Sequence, residues 1–228
     1  MSIFTTQAIV LAKKPLFNET DRLYILYSEN YGQLEAQVKA AALSSSKLAG
    51  SLEPVSLVEA MIIRGKRHET IGGVQLLKRF SYPDLFAWTL VSLAREVFVK
   101  LMRPGVIEKE LYHKLFLYLE ALEQPLSRLA QRTLALRFIW QMVAILGFGP
   151  VFDGYQKFDL SKASEKLLKW CLGPKDRGLP LDSSSSTRLA RGLQVKDNLL
   201  QELEDFTQKY LKQLVEQDLY SFKFLNYA

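Results

Sequence analysis

Lys39 and Lys47 bracket a run of small and hydroxyl-bearing residues, Ala40 to Ser46, that continues through Ala49, Gly50 and Ser51 to Pro54. Low-bulk backbone N–H groups and hydroxyls can approach an anion closely, and lysines add charge attraction, so the segment has the makings of a phosphate contact. A solvated surface loop is the competing reading of the same residues. Further cations fall near predicted strand ends: Lys13 and Lys14, Arg22, and the group Arg64, Lys66 and Arg67 around one turn. Phe17, Tyr24, Tyr27 and Tyr31 are spaced among them and offer rings for stacking on bases; core packing is the other use of such rings. The nucleic-acid-binding candidates are Arg22, Lys39, Lys47, Arg64, Lys66 and Arg67.

Catalytic chemistry finds less support. His68 and His113 lie far apart, without cysteine or carboxylate at a metal-ligand spacing, and the single cysteine, Cys171, excludes an internal disulfide or a cysteine-rich cluster. Cys171 reads as a small, buried or half-buried apolar residue. The sequence contains no Gly-x-Ser-x-Gly elbow, no phosphate loop ending in Gly-Lys-Ser/Thr and no Gly-x-Gly-x-x-Gly. The run Glu202-Leu203-Glu204-Asp205 reads as a solvated helix face. These observations predict a protein without catalytic residues, metal or cofactor.

The elements that must position the cations fall into two groups. Alternating segments at Gln7–Ala12, Arg22–Tyr27, Gln33–Ala41, Val55–Ile63 and Thr70–Leu77 predict five strands. Leu34, Ala36, Val38 and Ala40 alternate with Gln33, Glu35, Gln37 and Lys39, which puts Lys39 on the solvent face. Glu29-Asn30-Tyr31-Gly32 joins the second and third strands, with glycine supplying positive φ. Five short strands in eighty residues predict a small barrel, OB-like with an SH3-like barrel as the competitor. After Ser81 the period changes to that of a helix, which marks a domain boundary. Helices are expected over Asp84–Arg103, Ile107–Glu123 and Leu126–Leu146, the last buried on more than one side and stopped by Gly147. A loop at Phe148–Leu160, a short helix through Leu168 and Cys171, a loop at Gly173–Ser186 and a final helix to about Gln217 complete the chain. The expected fold is α+β in two domains, a barrel over residues 1–80 and a helical domain over 81–228. Phe152, Tyr155, Phe158, Leu167, Leu168 and Trp170 are the expected packing anchors of residues 150–180.

With 228 residues, 48% of them apolar and 24% charged, the chain has an ordinary globular composition. Its N-terminus lacks the basic-then-apolar pattern of a signal peptide and no apolar stretch reaches membrane-spanning length, so a soluble cytosolic protein is expected. The net charge of +6 is modest but uneven. Residues 1–80 carry ten basic and seven acidic side chains, whereas residues 151–228 carry twelve and eleven, so the excess leans towards the barrel. That bias fits a polyanionic partner, and an excess this small is also common in proteins that bind none.

Several segments together resemble the bacterial RecO family of recombination mediators: Gln7-Ala8-Ile9-Val10-Leu11, Glu19-Thr20-Asp21-Arg22-Leu23, Tyr31-Gly32-Gln33-Leu34, Ser46 through Pro54 leading to Arg64-Gly65-Lys66, Leu146-Gly147-Phe148-Gly149-Pro150, and Ser221-Phe222-Lys223-Phe224-Leu225. The resemblance spans nearly the whole chain. It implies a non-enzymatic protein of the cytoplasm and nucleoid that binds single- and double-stranded DNA, anneals complementary strands, and works with RecR to load RecA. It also implies contact with the acidic C-terminal tail of single-stranded DNA-binding protein (SSB), for which Arg128 and Arg132 are the candidate rim; solvent-facing arginines on a buried helix are the alternative. Many family members carry a four-cysteine zinc motif after the Gly-Phe-x-Pro segment, whereas here Phe152-Asp153-Gly154-Tyr155-Gln156 follows. Beside the mediator stands a second reading, an interaction adaptor whose helical domain docks a partner peptide while the barrel's charge is incidental.

Overall fold

The computed structural model describes residues 2–43, 46, 48–152, 158–173, 188–189, 193–194 and 196–222. The chain forms two compact units, residues 1–81 with 99–117, and residues 82–98 with 118–228.

In the first unit five strands, β1 (Ser2–Pro15), β2 (Arg22–Ser28), β3 (Gly32–Val38), β4 (Ser56–Arg64) and β5 (Glu69–Arg79), close into a barrel in the order β1-β2-β3-β5-β4. β1 pairs antiparallel with both β2 and β4, while β3 meets β5 in a short parallel pairing at Ala36–Glu69 and Gln37–Thr70. This closure is OB-like rather than SH3-like. The interior is filled by the inward members of each alternation: Ala8 and Val10, Tyr24 and Leu26, Leu34, Ala36 and Val38, Val58, Ala60 and Ile62, and Ile71. Gly32 turns β2 into β3 at φ +66°, and a Cβ there would stand 2.0 Å from the Val106 carbonyl oxygen, so only glycine fits the turn.

β2 is buried on both faces. Ile25 and Tyr27 point away from the barrel interior yet are almost fully covered. Tyr27 donates its hydroxyl hydrogen to the Glu108 carbonyl at 3.1 Å and lies beside Tyr112, so residues 104–112 roof the outer face at this point. Burial pushes the Tyr27 phenol up to about 12. Tyr24 and Tyr27 are therefore core rings, whereas Phe17 is fully exposed.

Strand β3 stops at Val38, short of the expected Ala41, because Ala40 takes φ +54° and turns the chain away. The described residues between Lys39 and Val55 are not merely a solvated loop. Ala41, Leu52 and Val55 are buried, Leu48 packs on the barrel core, and a 3₁₀ turn spans Ala49–Ser51.

The helices are α1 (Leu85–Leu101), α2 (Lys109–Leu122), α3 (Arg128–Ile145), α4 (Lys162–Leu172) and α5 (Asp197–Val215). Side-chain caps start three of them: Asp84 accepts from the Ala87 N–H at 2.7 Å, Ser127 from Ala130, and Ser161 from Ser164. Gly147, at φ +82°, ends α3 as expected. In the second unit α3 is buried on nearly all sides: Phe138 stacks on Tyr118, and Trp140 donates its indole N–H to Thr207 of α5 at 2.9 Å. Leu167, Leu168 and Trp170 of α4 are buried as expected, while Phe152 is partly exposed against Phe158 and Tyr155 lies outside the described residues. Cys171 is fully buried, which raises its thiol to about 12.

Two expectations are corrected here. The last helix begins only at Asp197; before it, Arg188–Leu189 and Leu193–Gln194 pair antiparallel as a small ladder, β6 and β7. The acidic run is a solvated face only in part: Asp205 is exposed, while Glu202 and Glu204 are half-buried and engaged. Glu202 accepts from the Ser161 N–H and from the Ser161 and Ser164 hydroxyls, the latter at 2.7 Å, and so clasps the start of α4. Those hydrogen bonds, led by Ser164, hold its carboxyl below the ordinary value of 4.5.

Candidate nucleic-acid interface

The β4–β5 turn is positioned by the long antiparallel pairing of its strands, with Arg64 opposite Glu69 and, across β1, opposite Ser2. Arg64 Nε donates to Glu69 Oε1 at 2.7 Å, and its guanidinium carbon lies 5.2 Å from the centroid of the Phe4 ring. Phe4 in turn stacks on Tyr31 with centroids 4.1 Å apart and planes 26° apart. Both rings are half-buried and rest against the barrel core, so they plug this mouth of the barrel. Ser2, Arg64, Gly65 and Lys66 line a recess of about 420 Å³ at the β4–β5 turn. Lys66 and Arg67 are exposed, and neither forms an ion pair among the described residues. The arrangement puts exposed cations on a turn whose Arg64 lies by a stacked aromatic pair, the components that single-stranded nucleic-acid sites use.

The other mouth is built differently. Arg22 sends Nη1 to the carbonyls of Glu19 at 2.7 Å and Asp21 at 2.9 Å, so its charge braces its own loop. Asp21 accepts from the Ala40 N–H at 2.8 Å, Lys13 pairs with Glu53 at 2.8 Å, and Arg79 donates to the Gly50 carbonyl. Lys39 is exposed as expected and Lys14 is exposed too; Lys47 lies outside the described residues. The register sets Lys39 three residues past Ala36 on one side of the Ala36–Glu69 pairing and Arg67 two residues before Glu69 on the other, roughly 15 Å of strand rise. Arg64, Lys66 and Arg67 thus come together, while Arg22 and Lys39 stand apart from them.

On the helical unit, Arg128 and Arg132 line one recess with Phe86, Leu129, Asp197, Gln201 and Glu204. The Arg128 guanidinium lies over Phe86 at 5.0 Å. Arg132 makes a two-pronged contact with Glu204 at 2.8 and 2.7 Å, and also bonds Asp197 and Gln201. The Glu204 contacts, with Asp197, raise its already high pKa further.

The sequence reading missed Phe4, Ser2 and Glu69. Phe4 shares inward parity with Thr6, Ala8 and Val10, a signal present in the sequence, but the expected strand began only at Gln7.

The fold places the chain among OB-like barrel proteins that carry a helical second unit. Residues 1–80 match the family described as Recombination protein O N terminal, and residues 82–222 match Recombination protein O C terminal. The chain belongs to the recombination protein O (RecO) family. Relatives include the DNA repair protein RecO of Syntrophobacter fumaroxidans, 29% identical over 78% of this chain and 70% of its own length. That of Caldanaerobacter subterraneus is 27% identical over 67% and 62%, and that of a Thermoanaerobacter species 28% over 67% and 61%. In the latter two the match takes in less than two thirds of the relative. Among the described residues no helix is long and apolar enough to cross a membrane, and no group of three or more His, Cys, Asp or Glu could hold a metal ion.

Proposed function

We propose that this chain is a non-enzymatic recombination mediator in DNA repair, active in the cytoplasm at the nucleoid. It binds single- and double-stranded DNA, anneals complementary strands, and with RecR helps RecA load onto DNA coated by SSB. The observation that carries this reading is the family match over both units, joined to the exposed Lys66 and Arg67 beside the aromatic mouth of an OB-like barrel. For the SSB tail, acidic and ending in an apolar residue, an apolar pocket rimmed by cations is required. The recess at Phe86, Arg128, Leu129 and Arg132 supports that role, with an incoming carboxylate competing against Asp197 and Glu204 for Arg132.

A second reading, the peptide-docking adaptor, is favoured by another recess of the helical unit, lined by Ala144, Gly147, Pro150, Phe152 and Leu172 with Lys169 at its edge. Affinity for a single-stranded oligonucleotide across a salt series separates the two. The mediator binds with an affinity that falls linearly on a log–log plot, at about 0.7 of slope per phosphate neutralised. Absent or salt-insensitive binding would favour the adaptor.

A further inference from the structure

We propose that the aromatic mouth of the barrel takes an unstacked base of single-stranded nucleic acid against the ring of Tyr31, with the adjoining phosphates on Lys66 and Arg67. The proposal rests on the nucleic-acid-binding reading above and names a contact within it. OB-like barrels commonly present the outer face of β2 and β3 to oligonucleotides. Here that face is closed near Tyr27 and Gln33: Tyr27 is under Glu108 and Tyr112, Gln33 is 3% exposed, and the Gly105 N–H donates to the Gln33 carbonyl. The neighbouring mouth keeps an aromatic surface in reach of solvent.

Its parts are held in place before any ligand arrives. Gly32 is wedged under the Val106 carbonyl, which fixes the turn that carries Tyr31. Tyr31 lies on Phe4, and Phe4 lies near Arg64, whose Nε is tied to Glu69. A base stacking on this column loses little freedom on the protein side, which is where a preformed site gains affinity. Glu69 offsets the charge of Arg64, so the cations left to a ligand at the mouth are Lys66 and Arg67. A duplex keeps its bases stacked on one another and has none to offer Tyr31; a single strand does.

The test compares Tyr31→Leu and Tyr31→Phe with the wild type, using a fluorescent oligothymidylate and a duplex of equal length. Tyr31→Leu keeps apolar bulk against Phe4 and removes the aromatic face. It should weaken single-strand binding roughly 5- to 100-fold, leave duplex affinity within about twofold, and be matched by near wild-type behaviour of Tyr31→Phe. A folded Tyr31→Leu protein with unchanged single-strand affinity overturns the stacking contact while the wild-type salt slope leaves the mediator reading standing. Equal losses for single strand and duplex overturn it as well. Should the leucine variant fail to fold, ultraviolet crosslinking of the wild type to bromodeoxyuridine-substituted single strand decides: an adduct on Tyr31 supports the site, and adducts confined to other residues refute it. A wild type that binds no oligonucleotide removes both this contact and the function it rests on.

Discussion

Lys66 and Arg67 on the barrel and Arg132 on α3 look alike in the sequence, yet the structure uses their charges in opposite ways. Arg132 has a side chain only 15% exposed and is held by Glu204 and Asp197, so its charge ties α3 to α5. Lys66 and Arg67 stand in water on a turn. A cation already matched by carboxylates contributes to stability and reaches a partner only by exchanging them, whereas one left to solvent is available at once. The barrel repeats the contrast within itself: Arg22, Lys13 and Arg79 secure loops at one mouth, while at the opposite mouth Arg64 is tied to Glu69 but Lys66 and Arg67 form no ion pair among the described residues.

The largest effect should come from Arg132→Glu. It removes a two-pronged pair and sets a third carboxylate beside Glu204 and Asp197, and should cost about 3 kcal/mol of stability. A urea denaturation midpoint equal to the wild type would show that Arg132 is not a brace and would return it to the pool of free binding cations. Next comes Glu202→Gln, which loses the charge in the clasp on Ser161 and Ser164 and, discounted for solvent screening of its carboxylate, should cost about 0.5–1 kcal/mol at neutral pH. Because the folded pKa of Glu202 is lowered, its stabilisation is fully present above its unfolded pKa and is lost as pH falls through the folded value. The gap between variant and wild type should therefore narrow below about pH 4.5; a gap constant from pH 7 to pH 3 would rule the clasp out. The smallest effect on stability belongs to the double variant Lys66→Glu, Arg67→Glu, whose melt should move by less than about 0.5 kcal/mol. Its single-strand affinity should nevertheless fall, with the log–log salt slope shallower by roughly 1.4. A large loss of stability there would erase the contrast with Arg132.

The strands were legible because a barrel wall has one dry face, and Leu34, Ala36 and Val38 advertise it by alternation. The start of β1 was hidden because Ile3, 63% exposed, points outward beside inward Phe4, so the alternation is masked by two apolar neighbours. Apolar residues on both faces of β2 signal a cover, but nothing local says that residues 104–112 provide it. The acidic run shows the same limit. Glu202 and Glu204 are about 200° apart around a helix, and each meets a different partner, Ser161 and Ser164 for one and Arg132 for the other, 38 to 72 residues away in sequence. Charge type is a local property; occupancy is decided by distant chain.

Residues 99–117 belong with the barrel although the chain has by then built most of α1 in the other unit. During synthesis the five strands can therefore pair as soon as β5 emerges, but Tyr27 stays wet until Glu108 and Tyr112 have left the ribosome. A protein cut after residue 81 would lose the roof that Glu108 and Tyr112 form over Tyr27, presenting an apolar ring to other molecules. The natural place to end an N-terminal half of this protein is beyond residue 117, and the half-made chain needs shelter until that point is reached.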